Sequence, residues 1–204
     1  MESQRIVLKI KSDMNFLGVL VLLFYLSGCC YSDQQEYSTS TKELRWIQAR
    51  DSLEHSLVKT KLKKDVNLFS EGKDNLVLKR VICSNYSLLL VIPEHACGYC
   101  VDSEIRSIKE YSRRLKDKSF YILTRHRYKK EIRNFKYFNK LDGFKVFSVK
   151  DNTILMESIN GMVKPIFLIV DRNCDIIDVF IPAQEVEDLS RQFLDICLRK
   201  YLNS

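Results

Sequence analysis

From Leu76 to the C-terminus, apolar runs typical of strands alternate with segments whose apolar residues recur at helical spacing. The run SLLLVI, 87 to 92, predicts a central strand that is covered on both faces. The order is β-α-β-α-β followed by β-β-α, which favours an α/β sandwich with a mixed sheet. The predicted elements are LVLKRVI (76 to 82), SLLLVI, a helix behind Cys100, SFYILT (119 to 124), a helix from Tyr128 to Asn139, KVFSV (145 to 149), the hairpin strands IFLIVD (166 to 171) and IIDVFI (176 to 181), and a last helix opened by Pro182.

Cys97 and Cys100 lie three positions apart, where the predicted central strand gives way to a helix. In a chain with seven cysteines, this spacing alone is a weak indication of a redox motif. The interpretation therefore depends on where the pair lies in the predicted fold. Amide groups and the positive end of the dipole at a helix start favour a thiolate, so we expect a lowered pKa for Cys97 and a protected Cys100. The two sulfurs can also bond on one helical turn, which lets Cys97 attack a partner disulfide and Cys100 resolve the mixed disulfide.

The N-terminal sequence has the layout of an export signal. Basic residues precede the apolar run FLGVLVLLFYL, 16 to 26, which is shorter than the roughly 20 residues that span a bilayer as a helix. The following LSGC resembles the bacterial lipobox, and the resemblance implies cleavage before Cys29 and acyl chains on its thiol. An uncleaved N-terminal anchor and an ordinary signal peptide are the alternatives.

Four regions follow from these patterns. Residues 1–28 are the predicted signal, and 29–41 are a tether, because YSDQQEYSTST contains no aliphatic residue. Residues 42–75 comprise an amphipathic helix, predicted from Lys42 to Asn67, and a linker that ends in the turn EGKDN. Residues 76–204 are the predicted α/β domain.

The formal net charge of +7 belongs to a chain whose N-terminus predicts export. Nucleic acid is therefore not an expected partner, whereas an anionic membrane surface or an acidic partner stays open. The basic, aromatic stretch RHRYKKEIRNFKYFNK, 125 to 140, fits a solvated helix face with core aromatics. A patch for anionic lipid or an acidic protein is the alternative.

The cysteines favour a redox interpretation over a metal site, because an envelope location permits disulfides. A structural zinc site needs a second Cys/His pair at ligand spacing, and covalent haem attachment needs CxxCH, whereas Val101 follows Cys100. We therefore expect no metal and no cofactor. Cys83, Cys174 and Cys197 lie on apolar or turn segments and are expected to be buried thiols, with a second disulfide among them as the alternative.

A strand, a CxxC motif at a helix start and a later proline before the first hairpin strand together resemble the thioredoxin fold, over about Leu76 to Leu202. The resemblance implies a three-layer α/β sandwich with a mixed central sheet, preceded here by signal peptide, tether and N-terminal helix. It also implies that Pro165 is cis and that the backbone of Lys164 and Pro165 pairs with an extended substrate chain beside the reactive sulfur. A trans Pro165 that only starts the strand is the alternative.

Two details refine the resemblance. The long spacing from the motif to Pro165, with extra sequence at 151–161, looks like the membrane-anchored TlpA/ResA-type proteins. The inner dipeptide Gly98-Tyr99 is similar to that of periplasmic disulfide isomerases, which implies that both residues contact the substrate.

The chain also departs from the thioredoxin pattern. Ala96 replaces the tryptophan that commonly precedes the first cysteine, and Val91 stands where the family has a buried acid that assists proton transfer. Glu94 or His95 is expected to take over the proton transfer from the loop. Lys164 replaces a small or β-branched residue, and its charge either favours a thiolate on the first cysteine or points to solvent.

The resemblance implies an exported, lipid-anchored thiol-disulfide oxidoreductase of the bacterial cell envelope, with Cys97 and Cys100 as catalytic residues. Its expected partners are disulfide- or thiol-bearing envelope proteins, and the membrane through the N-terminal lipid. The domain is expected in the periplasm or at the cell surface. The alternative is a catalytically weak scaffold lipoprotein of the same fold, whose Cys97–Cys100 disulfide is structural.

Overall fold

The structure is a computed structural model that describes most of the chain after the predicted tether. The predicted signal, Cys29 and the tether as far as residue 40 lie outside the described residues, as does the extra sequence at 151–161. By compactness the chain divides into 1–47 and 48–204, and the sheet with the helices after residue 57 belongs to the second unit. The described residues are 41–58, 60–149, 162–183 and 187–202.

Helices and strands alternate along the second half of the chain, as the apolar runs predict. The helices are α1 (Thr41–Leu57), α2 (Leu78–Val81), α3 (Gly98–Glu110), α4 (Ser112–Leu115), α5 (Lys129–Phe138) and α6 (Glu187–Cys197), which a π-helical turn, Leu198–Leu202, continues. The strands are β1 (Asn67–Phe69), β2 (Leu76–Val77), β3 (Tyr86–Val91), β4 (Phe120–Thr124), β5 (Lys145–Val149), β6 (Ile166–Asp171) and β7 (Ile176–Phe180).

The strands of the described residues form one mixed sheet in the order β2-β1-β5-β4-β3-β6-β7. Strands β3, β4 and β5 are parallel, and β6 runs antiparallel to β3 before turning into β7. The β3–β6 pairing is the longest register, from Tyr86 opposite Asp171 to Val91 opposite Ile166. The prediction of a mixed sheet with an antiparallel hairpin is confirmed.

Strand β3 is covered on both faces, as its apolar run predicts. Leu88 and Leu90 belong to a buried cluster with apolar side chains of α3, α5 and α6. Leu89 and Val91, which point the other way, belong to a second cluster with side chains of α1, α2 and the chain between them. The sheet is therefore the middle layer of three.

Polar contacts fix the C-terminal end of α3 against α6. The Tyr111 hydroxyl donates to Asp195 at 2.8 Å, and Arg191 pairs with Glu110 at 2.7 Å. The hydrogen bonds from Tyr111 and Arg114 lower the pKa of Asp195 below its ordinary value, so its carboxylate stays charged at neutral pH. Apolar packing and these charged contacts together hold the helix that carries the two cysteines.

The predicted helix from Lys42 to Asn67 is wrong in its second half, because α1 ends at Leu57. Beyond it the chain runs along the hairpin turn, where the Leu62 amide donates to the Cys174 carbonyl at 2.9 Å. The Ile176 amide donates to Thr60 at 2.8 Å in the same way. Backbone pairing with the hairpin therefore outweighs helical continuation over this segment.

Two other predicted elements also differ from the structure. The predicted strand LVLKRVI is extended only at Leu76–Val77 and continues as α2, because the spacing of Leu78 and Ile82 buries both on one face of a helical turn. Pro182 does not open the last helix: α6 is described from Glu187, and Pro182 lies in the irregular segment after β7. Strand β1 was not predicted, since it is only three residues long.

The hairpin offers a matched test of the core. Ile169 on β6 is fully buried, whereas Ile177 on β7 is 38% exposed. We expect Ile169→Ala to lower the free energy of unfolding by about 2–5 kcal/mol and Ile177→Ala by about 1 kcal/mol or less. Urea unfolding of both variants measures the difference, and equal losses would contradict the burial described here.

Candidate active site

Cys97 is the N-cap residue of α3. Its Sγ accepts a hydrogen bond from the Cys100 amide at 3.4 Å, and its carbonyl accepts from the Val101 amide at 3.0 Å. The sulfur therefore lies at the positive end of the helix dipole and receives an amide N–H, and both interactions favour a thiolate. The side chain of Cys97 is partly exposed, so it can meet a partner protein.

Cys100 lies one turn into α3, below the surface. Its side chain is 6% exposed, compared with 60% for the neighbouring Tyr99. Cys97 and Cys100 are both thiols in this structure. The predicted division into an accessible first sulfur and a protected second sulfur is confirmed in its geometry.

A backbone hydrogen bond brings the segment before β6 to the cysteines. The Cys97 amide donates to the Val163 carbonyl at 2.8 Å, which places Lys164 and Pro165 beside the start of α3. Lys164, Pro165 and Cys100 line one small cavity, together with Tyr99. Residues that are 68 positions apart in the sequence, as Cys97 and Pro165 are, therefore meet at one site.

The implied cis bond before Pro165 is wrong for this structure. Every peptide bond in the described segments is trans, including the one between Lys164 and Pro165. The trans form is favoured by about 0.5–1 kcal/mol at an X-Pro bond, and the contact of the Val163 carbonyl with the Cys97 amide is made without isomerisation.

The two loop residues predicted to transfer protons do not line the cavity beside Cys100. Glu94 and His95 are exposed, and Glu94 pairs with Arg127 at 3.4 Å. Glu94 lines a separate cleft on the other side of the helix start, and neither residue lines the cavity beside Cys100. Val91 is buried and apolar, so the position of the family's acid carries no proton acceptor.

Sequence reasoning missed an acid that the fold brings close to Cys100. Glu104 is 4% exposed, and it lines the same small cavity as Cys100 and Lys164. Its spacing of four residues from Cys100 puts both side chains on one face of α3, with Cβ atoms about 5–6 Å apart. That i, i+4 spacing was the sequence signal that could have found it.

The separate cleft has a volume of about 440 Å³ and begins at Gly98. A methyl group at Gly98 would meet no atom within 4 Å, so the space beside this residue is open. Arg125, His126 and Arg127 line the far wall. Burial lowers the pKa of His126 below its ordinary value, so its imidazole is neutral near pH 7.

The remaining cysteines of the described residues are not part of this site. Cys174 and Cys197 are buried thiols, as predicted, and desolvation raises the pKa of both. Cys83 was also predicted to be buried but is exposed, because it follows α2 in a loop rather than continuing a strand.

Two kinds of feature are absent from the part of the chain that the structure describes. No group of three or more His, Cys, Asp or Glu side chains is placed to hold a metal ion. None of the described helices is long and apolar enough to cross a membrane.

Comparison with known proteins gives similarity at the level of structure only. No protein-family model matches the chain, and no curated protein sequence matches it significantly. A thiol:disulfide interchange protein from Bacteroides sp. superimposes with a TM-score of 0.51 at 15% identity, covering 69% of this chain and 92% of that one. A protein of Aquifex aeolicus VF5 assigned to electron transfer superimposes with a TM-score of 0.51 at 16% identity, covering 70% of this chain and 94% of that one.

A protein of Bacteroides thetaiotaomicron assigned as a protein disulfide isomerase also superimposes with a TM-score of 0.51, at 11% identity, covering 70% of this chain and 91% of that one. Identities this low carry the fold rather than the activity. The three-layer arrangement, the mixed sheet and these neighbours together confirm the predicted fold class. The chain has a thioredoxin-like fold.

The geometry predicts an order of thiol reactivity. Near pH 7.5 we expect Cys97 and Cys83 to react with iodoacetamide at least about tenfold faster than Cys174 and Cys197, whose burial opposes thiolate formation. Peptide mass spectrometry at timed intervals measures each site. Urea-unfolded protein is the control, in which the differences should disappear; equal rates at Cys97 and Cys197 in folded protein would contradict the site.

Proposed function

We propose that this chain is a thiol-disulfide oxidoreductase that works through Cys97 and Cys100. The observation that carries the proposal is the position of Cys97 Sγ, which caps α3 and accepts the Cys100 amide with the second thiol buried one turn on. An accessible thiolate beside a protected thiol is the arrangement that thiol-disulfide exchange requires. The thioredoxin-like fold supports the same reaction.

The reaction has two steps. The Cys97 thiolate attacks one sulfur of a client disulfide, a Cys97–client bond forms, and the other client sulfur leaves as a thiolate that takes a proton. Cys100 then loses its proton and attacks Cys97 Sγ, which breaks the mixed disulfide and releases the second client thiol. The client gains two electrons and two protons, and the dithiol of the protein becomes the Cys97–Cys100 disulfide.

The surface around Cys97 supports binding of an extended client segment. The chain from Val163 to Pro165 is fixed next to Cys97 by the 2.8 Å backbone bond, and Tyr99 is exposed beside it. On its other side, Gly98 lines the cleft and has open space beside it. We propose that the client chain lies between these two sides, with its disulfide over Cys97.

The location of the enzyme is part of the proposal. The basic N-terminus, the apolar run at 16–26 and LSGC support export and lipid attachment at Cys29. An oxidising envelope compartment would supply client proteins that carry disulfides or thiols. The lipid would hold the domain near a membrane through the tether.

A scaffold role with a structural disulfide is the second candidate, and Val91 in the place of the family's acid favours it. A staple that closes so small a loop would add little stability and would not exchange with clients. The two candidates therefore differ in whether Cys97 forms mixed disulfides.

Trapping separates these candidates. The Cys100→Ser variant should accumulate a mixed disulfide between Cys97 and disulfide-bonded insulin, because the second step is blocked. Cys97→Ser is the matched control and should form no such adduct. With dithiothreitol as the electron donor, it should reduce insulin at least about 100-fold more slowly than the parent protein. Non-reducing electrophoresis and mass spectrometry detect the adduct. Absence of adducts with Cys100→Ser, with an unchanged fold, would rule out the exchange reaction.

A further inference from the structure

We propose that the outer face of α5 binds an anionic membrane surface. The outer face consists of Lys130, Asn134, Tyr137 and Phe138, together with Lys140 just after the helix, and all five are exposed. This surface contains neither cysteine of the candidate active site. The inference therefore goes beyond the exchange reaction and does not depend on it.

Most of the positive charge of the chain is concentrated at this helix. The stretch from 125 to 140 contains seven Lys or Arg residues and one Glu, a net charge of +6 in a chain whose formal net charge is +7. Each basic side chain close to an anionic lipid surface strengthens binding by about fivefold. Charge complementarity therefore favours an anionic partner for α5.

The aromatic side chains of the same stretch are mostly exposed. Of the four, Phe135 packs against the core, whereas Tyr128, Tyr137 and Phe138 are 66%, 75% and 76% exposed. The expectation of core aromatics is therefore wrong for three of them. The rings of Tyr137 and Phe138 contact each other, with centroids 5.5 Å apart. Exposed rings beside lysines are typical of segments that enter the headgroup region of a bilayer.

Helical spacing places the two rings and a lysine on one side of α5. Ile132 is fully buried in the core, so the helix packs through that side. Lys130, Asn134, Tyr137 and Phe138 follow one another at i, i+4, i+7 and i+8, and all point away from the core. A flat surface that meets this side of α5 would touch the rings and the lysine together.

The unpaired cations of α5 are lysines. Lys129 and Arg133 contact acidic residues of the turn EGKDN, at 2.6 and 3.0 Å. Lys130 and Lys140 have no ion-pair partner among the described residues. An arginine fork recognises a protein carboxylate best, whereas a lysine ammonium is a compact, hydrated point charge. The outer face is therefore better suited to the diffuse charge of lipid headgroups than to an acidic protein.

A groove beside α5 extends the cationic surface. It has a volume of about 680 Å³, which is enough for a phosphate headgroup. Lys73, Lys145 and two residues of α5, Arg133 and Lys136, line it, and Glu71 is the one acid among its described lining residues. Lipid headgroups that approach the outer face would meet further cations in this groove.

Membrane contact at α5 would add to the proposed lipid at Cys29. An acyl chain and a cationic patch together hold a protein at a membrane more firmly than either one alone. A second attachment point would also orient the domain at the bilayer, because a tether alone leaves the domain free to rotate.

Quenching of a single tryptophan by lipid tests the contact. The full-length chain would carry Trp46→Phe and Phe138→Trp, which leaves one indole, on the outer face. The probes are vesicles of brominated phosphatidylcholine, alone or with about 30% phosphatidylglycerol, recovered by flotation so that bound protein alone is measured. We expect at least about twofold stronger quenching on the anionic vesicles, because lipid charge draws the indole into the headgroup region.

The position control moves the indole to the other side of the sheet. Lys79 is exposed on α2, and α2 and α5 pack on opposite faces of the sheet. Lys79→Trp with Trp46→Phe should therefore be quenched equally on both kinds of vesicle. Equal extra quenching at positions 79 and 138 would overturn the assignment to α5.

Charge reversal tests whether the contact is electrostatic. Lys130→Glu with Lys140→Glu, added to the Phe138→Trp chain, should remove the extra quenching on anionic vesicles. Salt at about 1 M should have the same effect, because it shortens the screening length to about 3 Å. Lys63→Glu with Lys79→Glu is the matched control: it changes the net charge equally at exposed residues elsewhere and should leave the extra quenching in place.

The remaining outcomes decide between partners. Equal quenching of the Phe138→Trp indole on neutral and anionic vesicles, or no protein recovered with either, would overturn the proposal. A change in emission with polyglutamate but not with anionic vesicles would also overturn it and indicate an acidic protein partner. Insulin reduction by the Lys130→Glu, Lys140→Glu variant should be unchanged, so the membrane contact and the exchange reaction are tested separately.

Discussion

The hydrogen bond from the Cys97 amide to the Val163 carbonyl is the contact on which the site depends. It joins the start of α3 to the segment before β6, so that a motif and a proline far apart in sequence share one surface. The long antiparallel register of β3 and β6 sets this contact, because Val91 lies opposite Ile166 at the end of both strands. The sheet therefore aligns the site before any substrate binds.

Long apolar runs made the sheet predictable from the sequence. A strand that is buried on both faces, such as β3, is an unbroken apolar run. The hairpin consists of two apolar runs with a turn sequence between them. Short elements were not predictable in the same way. Strand β1 and helix α2 owe their conformation to neighbours: β1 pairs with β5, and α2 buries Leu78 and Ile82.

The candidate site was predictable in part. Cys97 and Cys100 followed from their position at a strand-to-helix junction, and Pro165 from its place before the hairpin. Glu104 was not found, because a glutamate within a helix is usually exposed, whereas the tertiary packing buries this one. Glu94 and His95 are close to the cysteines in sequence, but both are exposed and neither lines the cavity beside Cys100.

The reduction potential of the Cys97–Cys100 pair tests the central claim most directly. It can be measured by equilibrating the protein in glutathione or dithiothreitol buffers and counting alkylated thiols by mass. An exchange-active pair should give a value between about −120 and −270 mV, in the range of thioredoxin-fold catalysts. A value below about −300 mV, with a bond that is slow to reduce, would contradict the account and identify a structural disulfide.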